Sequence, residues 1–218
     1  MLIQERRNEN HAQPGAQLGR AYNAGTPISS SLKRMNSRTR SFPILALKNV
    51  AESDFIEFWS ARYPANNEPA YQANIGKPLT KKRLLSLFEW KNSGPIAKLK
   101  LASIYRNYID DKPVPPTPGD LRALETFIRQ PGGAIWRIFW LHCHDPSRYP
   151  IFDQHVYRAM RRIEVGRPEE IPTTNRAKAK AYVEQYLPFH AAFKYPNAKK
   201  IDEALWSYGK YLKGKNAF

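Results

Sequence analysis

Apolar residues recur at close to the 3.6-residue helical period from Asp54 onward, and they lack that order before about Phe42. Phe55, Phe58 and Trp59, with Arg62 opposite, make a short amphipathic helix that Pro64 stops. A loop is expected from there to Pro78. Thr80 is a good N-cap for a helix through Lys91, with Leu84, Leu87 and Phe88 on one side, and Gly94 and Pro95 end it. The next helix runs to about Ile109, with Leu99, Leu101, Ile104, Tyr105 and Tyr108 as its candidate core.

Asp110 to Pro118 is a Pro-rich break, either a division between two lobes or a stiff loop. Asp120 then caps a helix carrying Leu121, Leu124, Phe127 and Ile128, and Pro131, Gly132 and Gly133 form a turn. Ala134 to Cys143 is apolar almost all round, the mark of a central buried helix. Asp153 to about Ile163 is the next helix, Asn175 caps one that reaches Tyr186 before Pro188, and the last runs from Ala198 to Leu212. No two-residue alternation and no repeat appears. The expected fold class is all-α, with residues 43–218 as one helical domain behind a flexible basic arm at 1–42.

Charge alters this picture of an ordinary helical protein. The 218 residues carry 35 Lys and Arg against 19 Asp and Glu, a formal net charge of +16. That imbalance attracts nucleic acid or an anionic membrane surface. No apolar run approaches the roughly 18 residues that cross a bilayer, so no membrane span is expected, and no obligate protein partner is evident. In the arm, Arg6, Arg7, Arg20, Lys33, Arg34, Arg38 and Arg40 face only Glu5 and Glu9. The arm either tracks phosphates or is a solvated leader without a role. The start of the chain has no signal-peptide core, and Cys143, the only cysteine, permits no intrachain disulfide. A cytoplasmic, nucleoid or nuclear setting fits.

The densest chemistry lies in Tyr149 to Met160, YPIFDQHVYRAM. Pro150 stiffens the approach, and Asp153 stands where a helix begins, so amides and the helix dipole favour its ionised form. An ordinary N-cap is the plain alternative. The pattern Tyr149, Pro150, Ile151, Asp153, Val156, Arg158 resembles the segment around the catalytic aspartate of the helix-hairpin-helix (HhH-GPD) DNA glycosylases, the adenine glycosylase branch in particular. Ile201 to Leu212, IDEALWSYGKYL, resembles the late helix of that superfamily, with Gly209 near its middle. The resemblance covers about the C-terminal half of the chain. It implies an HhH-GPD-like fold and cleavage of an N-glycosidic bond supported by Asp153.

The family's hairpin, whose amides grip a phosphate, falls here on Pro131-Gly132-Gly133, which is shorter and less regular than the family pattern. A helix–helix turn is the alternative for Gly132 and Gly133. Members that also cleave the strand use a lysine just after the hairpin. No lysine occurs between Lys112 and Lys178, so the resemblance implies a monofunctional enzyme. The four-cysteine iron–sulfur cluster of some members is excluded by the single cysteine, and no cofactor is expected.

Other positions are open to two readings each. Arg158, Arg161 and Arg162 either bind phosphates or form a solvated face paired to acids such as Glu164. His155 either assists a water or phosphate or simply packs. Lys81, Lys82 and Arg83, with Trp90 and Lys91 at the far end of the same helix, suit a nucleic-acid surface, although Trp90 also suits a core. Trp136, Phe139 and Trp140 are core candidates. His142, Cys143, His144 and Asp145 are consecutive and point different ways on a helix, so no metal site is assigned.

The expected function is excision of a modified, flipped-out base. A non-catalytic helical nucleic-acid-binding protein on the same scaffold is the alternative, and a basic protein binding RNA or another protein is a third. DNA affinity should be sequence-tolerant and should fall steeply with salt. Removing residues 1–42 should weaken it and flatten the salt slope in a fluorescence-anisotropy titration.

Overall fold

A computed structural model describes residues 50–64, 68–110 and 113–215. The basic arm expected at 1–42 lies outside them. Among the described residues every regular element is helical, and there is no strand. The order is α1 (Glu52–Ser60), α2 (Glu68–Asn74), α3 (Lys81–Lys91), α4 (Lys98–Ile104), α5 (Leu121–Arg129), α6 (Ala134–His144), α7 (Gln154–Val165), α8 (Asn175–Ala181), α9 (Leu187–Ala191) and α10 (Ala198–Lys215). Two π-helical segments continue the chain, Tyr105–Asp110 after α4 and Tyr182–Tyr186 between α8 and α9.

Local chemistry sets most boundaries. Thr80 accepts from the Arg83 amide at the start of α3, and Asp120 accepts from Ala123 at the start of α5. At the end of α3 the Ser93 amide donates to Trp90 O at 2.9 Å and Gly94 to Glu89 O at 3.0 Å. Ser93 has φ +60, an uncommon conformation for a residue with a Cβ. α6 is the buried centre, with Ile138, Phe139, Trp140 and Leu141 at or near zero exposure. Its Trp136 stacks on Phe88 of α3, ring centroids 5.2 Å apart and planes within 11°. Lys112 is undescribed, and the Pro-rich stretch from Pro113 carries no helix before α5.

Four expectations need correction. The supposed loop from Pro64 to Pro78 contains α2, anchored by buried Glu68 and Tyr71. Pro188 does not stop the helical path, because it occupies the first turn of α9, where a missing N–H costs nothing. Thr174, not Asn175, caps α8 by accepting from the Ala177 amide. Leu99 is not core: α4 turns it outward at 87% exposure.

The element that places Asp153 is the crossing of α7 and α10. A methyl group on Gly209 would lie 1.9 Å from the His155 carbonyl oxygen, so only glycine allows the backbones this close. Arg158, 1% exposed, reaches across the same crossing and donates to the Gly209 carbonyl at 3.2 Å. Gly209→Ala should therefore cost about 3 kcal/mol through forced separation of two helices. A fall in melting temperature on the order of 10 °C by circular dichroism is the expected readout; an unchanged melting temperature would contradict the close crossing.

Candidate functional site

Asp153 is the N-cap of α7. Its Oδ1 accepts from the amides of His155 at 2.8 Å and Val156 at 3.2 Å, which leaves Oδ2 facing the end of α3. There Lys91 Nζ donates to Oδ2 at 2.8 Å, with only 12% of the Lys91 side chain and 16% of Asp153 exposed. Burial by itself pushes the Asp153 carboxyl upward. The Lys91 ammonium, by charge and hydrogen bond, outweighs that together with His155 and its amide, so the group stands below the ordinary carboxylate value. The plain N-cap role is thus present, and a paired lysine is added to it.

The pair lies in a cavity of about 270 Å³. The end of α3 supplies Trp90, Lys91 and Ser93, the approach to α7 supplies Ile151 and Asp153, and Tyr63 and Pro64 close one side. The remaining wall is one face of α10: Lys199, Asp202, Glu203, Trp206 and Lys210. Lys199 bridges Glu68 at 2.9 Å and Glu203 at 3.1 Å. Lys210 is exposed, lies 4.7 Å over the Trp206 ring and meets no carboxylate among the described residues. Asp202 is buried with Oδ1 3.2 Å from His190 Nε2. The arrangement offers an anchored carboxylate, aromatic walls and one cation free to take a phosphate.

Of the residues singled out in the sequence, this cavity gathers Asp153, Trp90 and Lys91. His155 sits beside it, its ring 5.1 Å from that of Trp206 and its Nδ1 3.4 Å from Arg158. Burial, with Arg158, Lys213 and Lys210 nearby, lowers its pKa despite the opposing charge of Asp153. Lys81, Lys82 and Arg83 lie at the opposite end of α3, roughly 15 Å along the axis from Lys91. Lys81 instead covers the Tyr105 ring at 4.6 Å, and Arg83 donates to Pro78 O at 2.9 Å.

The three arginines of α7 are used differently from one another. Arg158 is a buried strut whose guanidinium grips both Glu170 oxygens at 2.8 and 2.9 Å, which leaves no surface for a phosphate. Arg161 pairs with Glu169 at 2.7 Å, and Arg162 donates to the Gly166 carbonyl, closing the left-handed end of α7. Glu164, the expected partner, is not the one used. At the turn for which phosphate binding and a plain helix–helix connection were the two readings, the Ala134 amide donates to Asn175 Oδ1 at 3.2 Å. A Cβ on Gly132 would come within 2.6 Å of the Tyr108 hydroxyl, so Gly132 serves helix packing at φ +108.

The histidine–cysteine run at the end of α6 is structural. His142 Nδ1 donates to Tyr149 O at 2.8 Å, and its Nε2 accepts from the Tyr71 hydroxyl at 2.7 Å. Burial pushes His142 down to about 4, so the neutral ring is the stable form. Cys143 is buried, and its thiol is pushed upward by that burial.

No family model, curated protein or solved structure matches the chain.

The lining residues given no role from the sequence come mainly from α10, with Tyr63 from the segment after α1 and Ser93 from the end of α3. Lys199, Asp202, Glu203, Trp206 and Lys210 recur at helical spacing, which was the signal available. Lys91→Met removes the strongest influence that depresses Asp153. Its carboxyl titration, followed by carbon-13 NMR, should therefore move upward. Since a depressed carboxylate lends stability that is present above its unfolded pKa and lost as pH falls through its folded pKa, the variant should be less stable at neutral pH and should lose less of its stability on acidification than the wild type. A carboxyl that titrates unchanged would show the pair to be electrostatically idle.

Proposed function

We propose that this protein excises a modified base from DNA, with the extruded nucleotide in the cavity between Trp90 and Trp206 and Asp153 supporting cleavage of the N-glycosidic bond. The observation that carries the reading is the anchored, ionised Asp153 carboxylate opening into an aromatic cavity on a strongly basic protein. The all-helical order supports an HhH-GPD-like scaffold: a helical pair with a Gly turn, α5 and α6, precedes an Asp-capped helix, α7, and a late helix crosses it at glycine.

In this mechanism positive charge builds on the sugar as the bond to the base breaks. A fixed carboxylate stabilises that charge without reorganising. Two amides and an ammonium hold Asp153 as a weak base, so charge stabilisation is favoured over proton abstraction from water. Water then adds to the anomeric carbon as the C–N bond breaks; the electron pair of that bond leaves with the base nitrogen, which takes up, through solvent, the proton that the added water sheds. The aromatic walls hold the base by stacking, and Lys210 takes a flanking phosphate.

The absence of a lysine near Asp153 in sequence does not extend to space, because α3 brings Lys91 to it. Here Lys91 acts as the counter-ion of Asp153, and the enzyme is monofunctional. Asp153→Asn, which can still cap α7, should lower excision on a panel of damaged duplexes by about 10³-fold while DNA binding holds; the melting temperature should fall, because the buried Lys91 ammonium loses its carboxylate. Borohydride should trap no covalent adduct on the wild type. Full activity of the variant, or an adduct that disappears with Lys91→Met, would overturn the mechanism. Silence across the panel with binding retained would transfer the reading to a non-catalytic DNA-binding protein.

A further inference from the structure

Among the described residues, Ser93 is the one non-glycine residue with a positive φ, and it lines the Asp153 cavity. It stands just past the end of α3, where glycine is the usual residue because a Cβ is strained in the left-handed region. The bonds that close this helix end run from backbone to backbone, Ser93 to Trp90 and Gly94 to Glu89, so they require no serine. The turn is also kept from relaxing. Asn92 Nδ2 donates to the Gly94 and Pro95 carbonyls at 3.2 and 2.9 Å, and Asn92 Oδ1 accepts from Lys100 Nζ at 2.6 Å. Lys100 in turn lies 4.2 Å over the Trp136 ring. Strain that the neighbours enforce at a cavity wall points to a use for the side chain that bears it.

Most polar groups around the cavity are already engaged. Asp153 Oδ1 accepts from two amides and its Oδ2 from Lys91, which sits on the same turn as Ser93. Lys199 bridges Glu68 and Glu203, and Asp202 lies against His190. The other hydroxyl on the wall, Tyr63, belongs to a ring that Lys199 covers at 4.8 Å. The Ser93 side chain is exposed, and its hydroxyl meets no partner among the described residues. A carboxylate whose oxygens are both occupied by donors is a poor holder of a nucleophilic water, so that water needs another group.

We propose that the Ser93 hydroxyl holds the water that attacks the anomeric carbon. This rests on the reading that the cavity receives an extruded nucleotide and that Asp153 stabilises charge on its sugar. A hydroxyl carries one donor and two lone pairs, so it can accept a hydrogen bond from the water and leave a water lone pair free to attack. That pair forms the new C–O bond as the C–N bond breaks, and the electrons of the C–N bond leave with the base nitrogen. The added water sheds its proton along the hydrogen bond to Ser93, whose own proton passes to solvent, so the serine ends unchanged. The base nitrogen takes up a proton from solvent. A pinned, left-handed turn fixes the hydroxyl in one place, which is the orientation that converts a chance encounter into a directed one.

The test uses the full chain and duplexes bearing uracil, hypoxanthine, oxidised guanine or an N-alkylated purine, under single-turnover conditions. Ser93→Ala should lower the excision rate at least tenfold with duplex affinity and melting temperature unchanged. Ser93→Gly should lose the same activity while melting higher by about 2 °C, because the strain leaves with the Cβ. A gain in stability joined to a loss of rate is a pattern that damage to the fold does not produce. In buffer containing methanol, the wild type should form less methyl glycoside than the alcohol's share of the solvent predicts. The residual product of both variants should follow that share, since nothing then selects the nucleophile. A wild-type rate in Ser93→Ala, or a methanol partition that is the same in all three proteins, would overturn the assignment. A full rate in Ser93→Ala with loss in Tyr63→Phe would overturn it in favour of Tyr63. Excision that depends on Asp153 but is indifferent to Ser93 ends this inference alone, whereas a wild type that excises nothing from any of the duplexes ends it together with the catalytic reading.

Discussion

Two backbones touch where α7 and α10 cross, and the rest of the candidate site depends on that contact. With the His155 carbonyl against Gly209 there is no room for a side chain between the helices. The crossing sets the start of α7, with Asp153, opposite the charged face of α10. Arg158 then ties the two elements to Glu170 in the segment beyond α7. A glycine and a buried arginine thus fix the distance between a carboxylate and an aromatic wall, although neither lines the cavity.

The distribution of charge follows from the same economy. A net charge of +16 suggests a protein covered in free cations, yet several of the most suggestive ones are committed inside the fold. Arg158 and Arg161 hold the segment after α7, Lys199 ties α2 to α10, and Lys91 belongs to Asp153. What remains for a partner is a smaller group on exposed faces, Lys98, Arg106 and Lys210 among them. Overall charge therefore describes long-range attraction well and says little about which side chain touches what.

Much of the helical framework was legible because it is written in local chemistry. Thr80 and Asp120 cap where they were expected to, α6 is as buried as its continuous apolar surface implied, and Asp153 opens α7. The failures share a cause. α2 has only Tyr71 and a buried Glu68 to mark it, and Glu68 is buried because Lys199, far along the chain, neutralises it. Arg158 looked solvated because Glu170 and the Gly209 carbonyl are not neighbours in sequence. Leu99 sits on the apolar period of α4, but it is Lys100 that turns inward, to Asn92 and the Trp136 ring, partners the local pattern does not reveal. The cavity needs four distant segments at once, so only Asp153 and the Trp90–Lys91 pair announced themselves.

His142 couples the core beside this cavity to the proton concentration. The ring is a two-ended spacer, accepting from Tyr71 of α2 and donating to the Tyr149 carbonyl ahead of α7. A second proton would turn Nε2 from acceptor into donor, reversing its bond with the Tyr71 hydroxyl, and it would place a cation where burial already drives the pKa down to about 4. The unfolded chain takes that proton near pH 6.5. Between those two values acidification favours release of the ring over its retention, a bias that vanishes above the upper one. Acidification through that window therefore weighs against the link that His142 makes between α2 and the approach to Asp153.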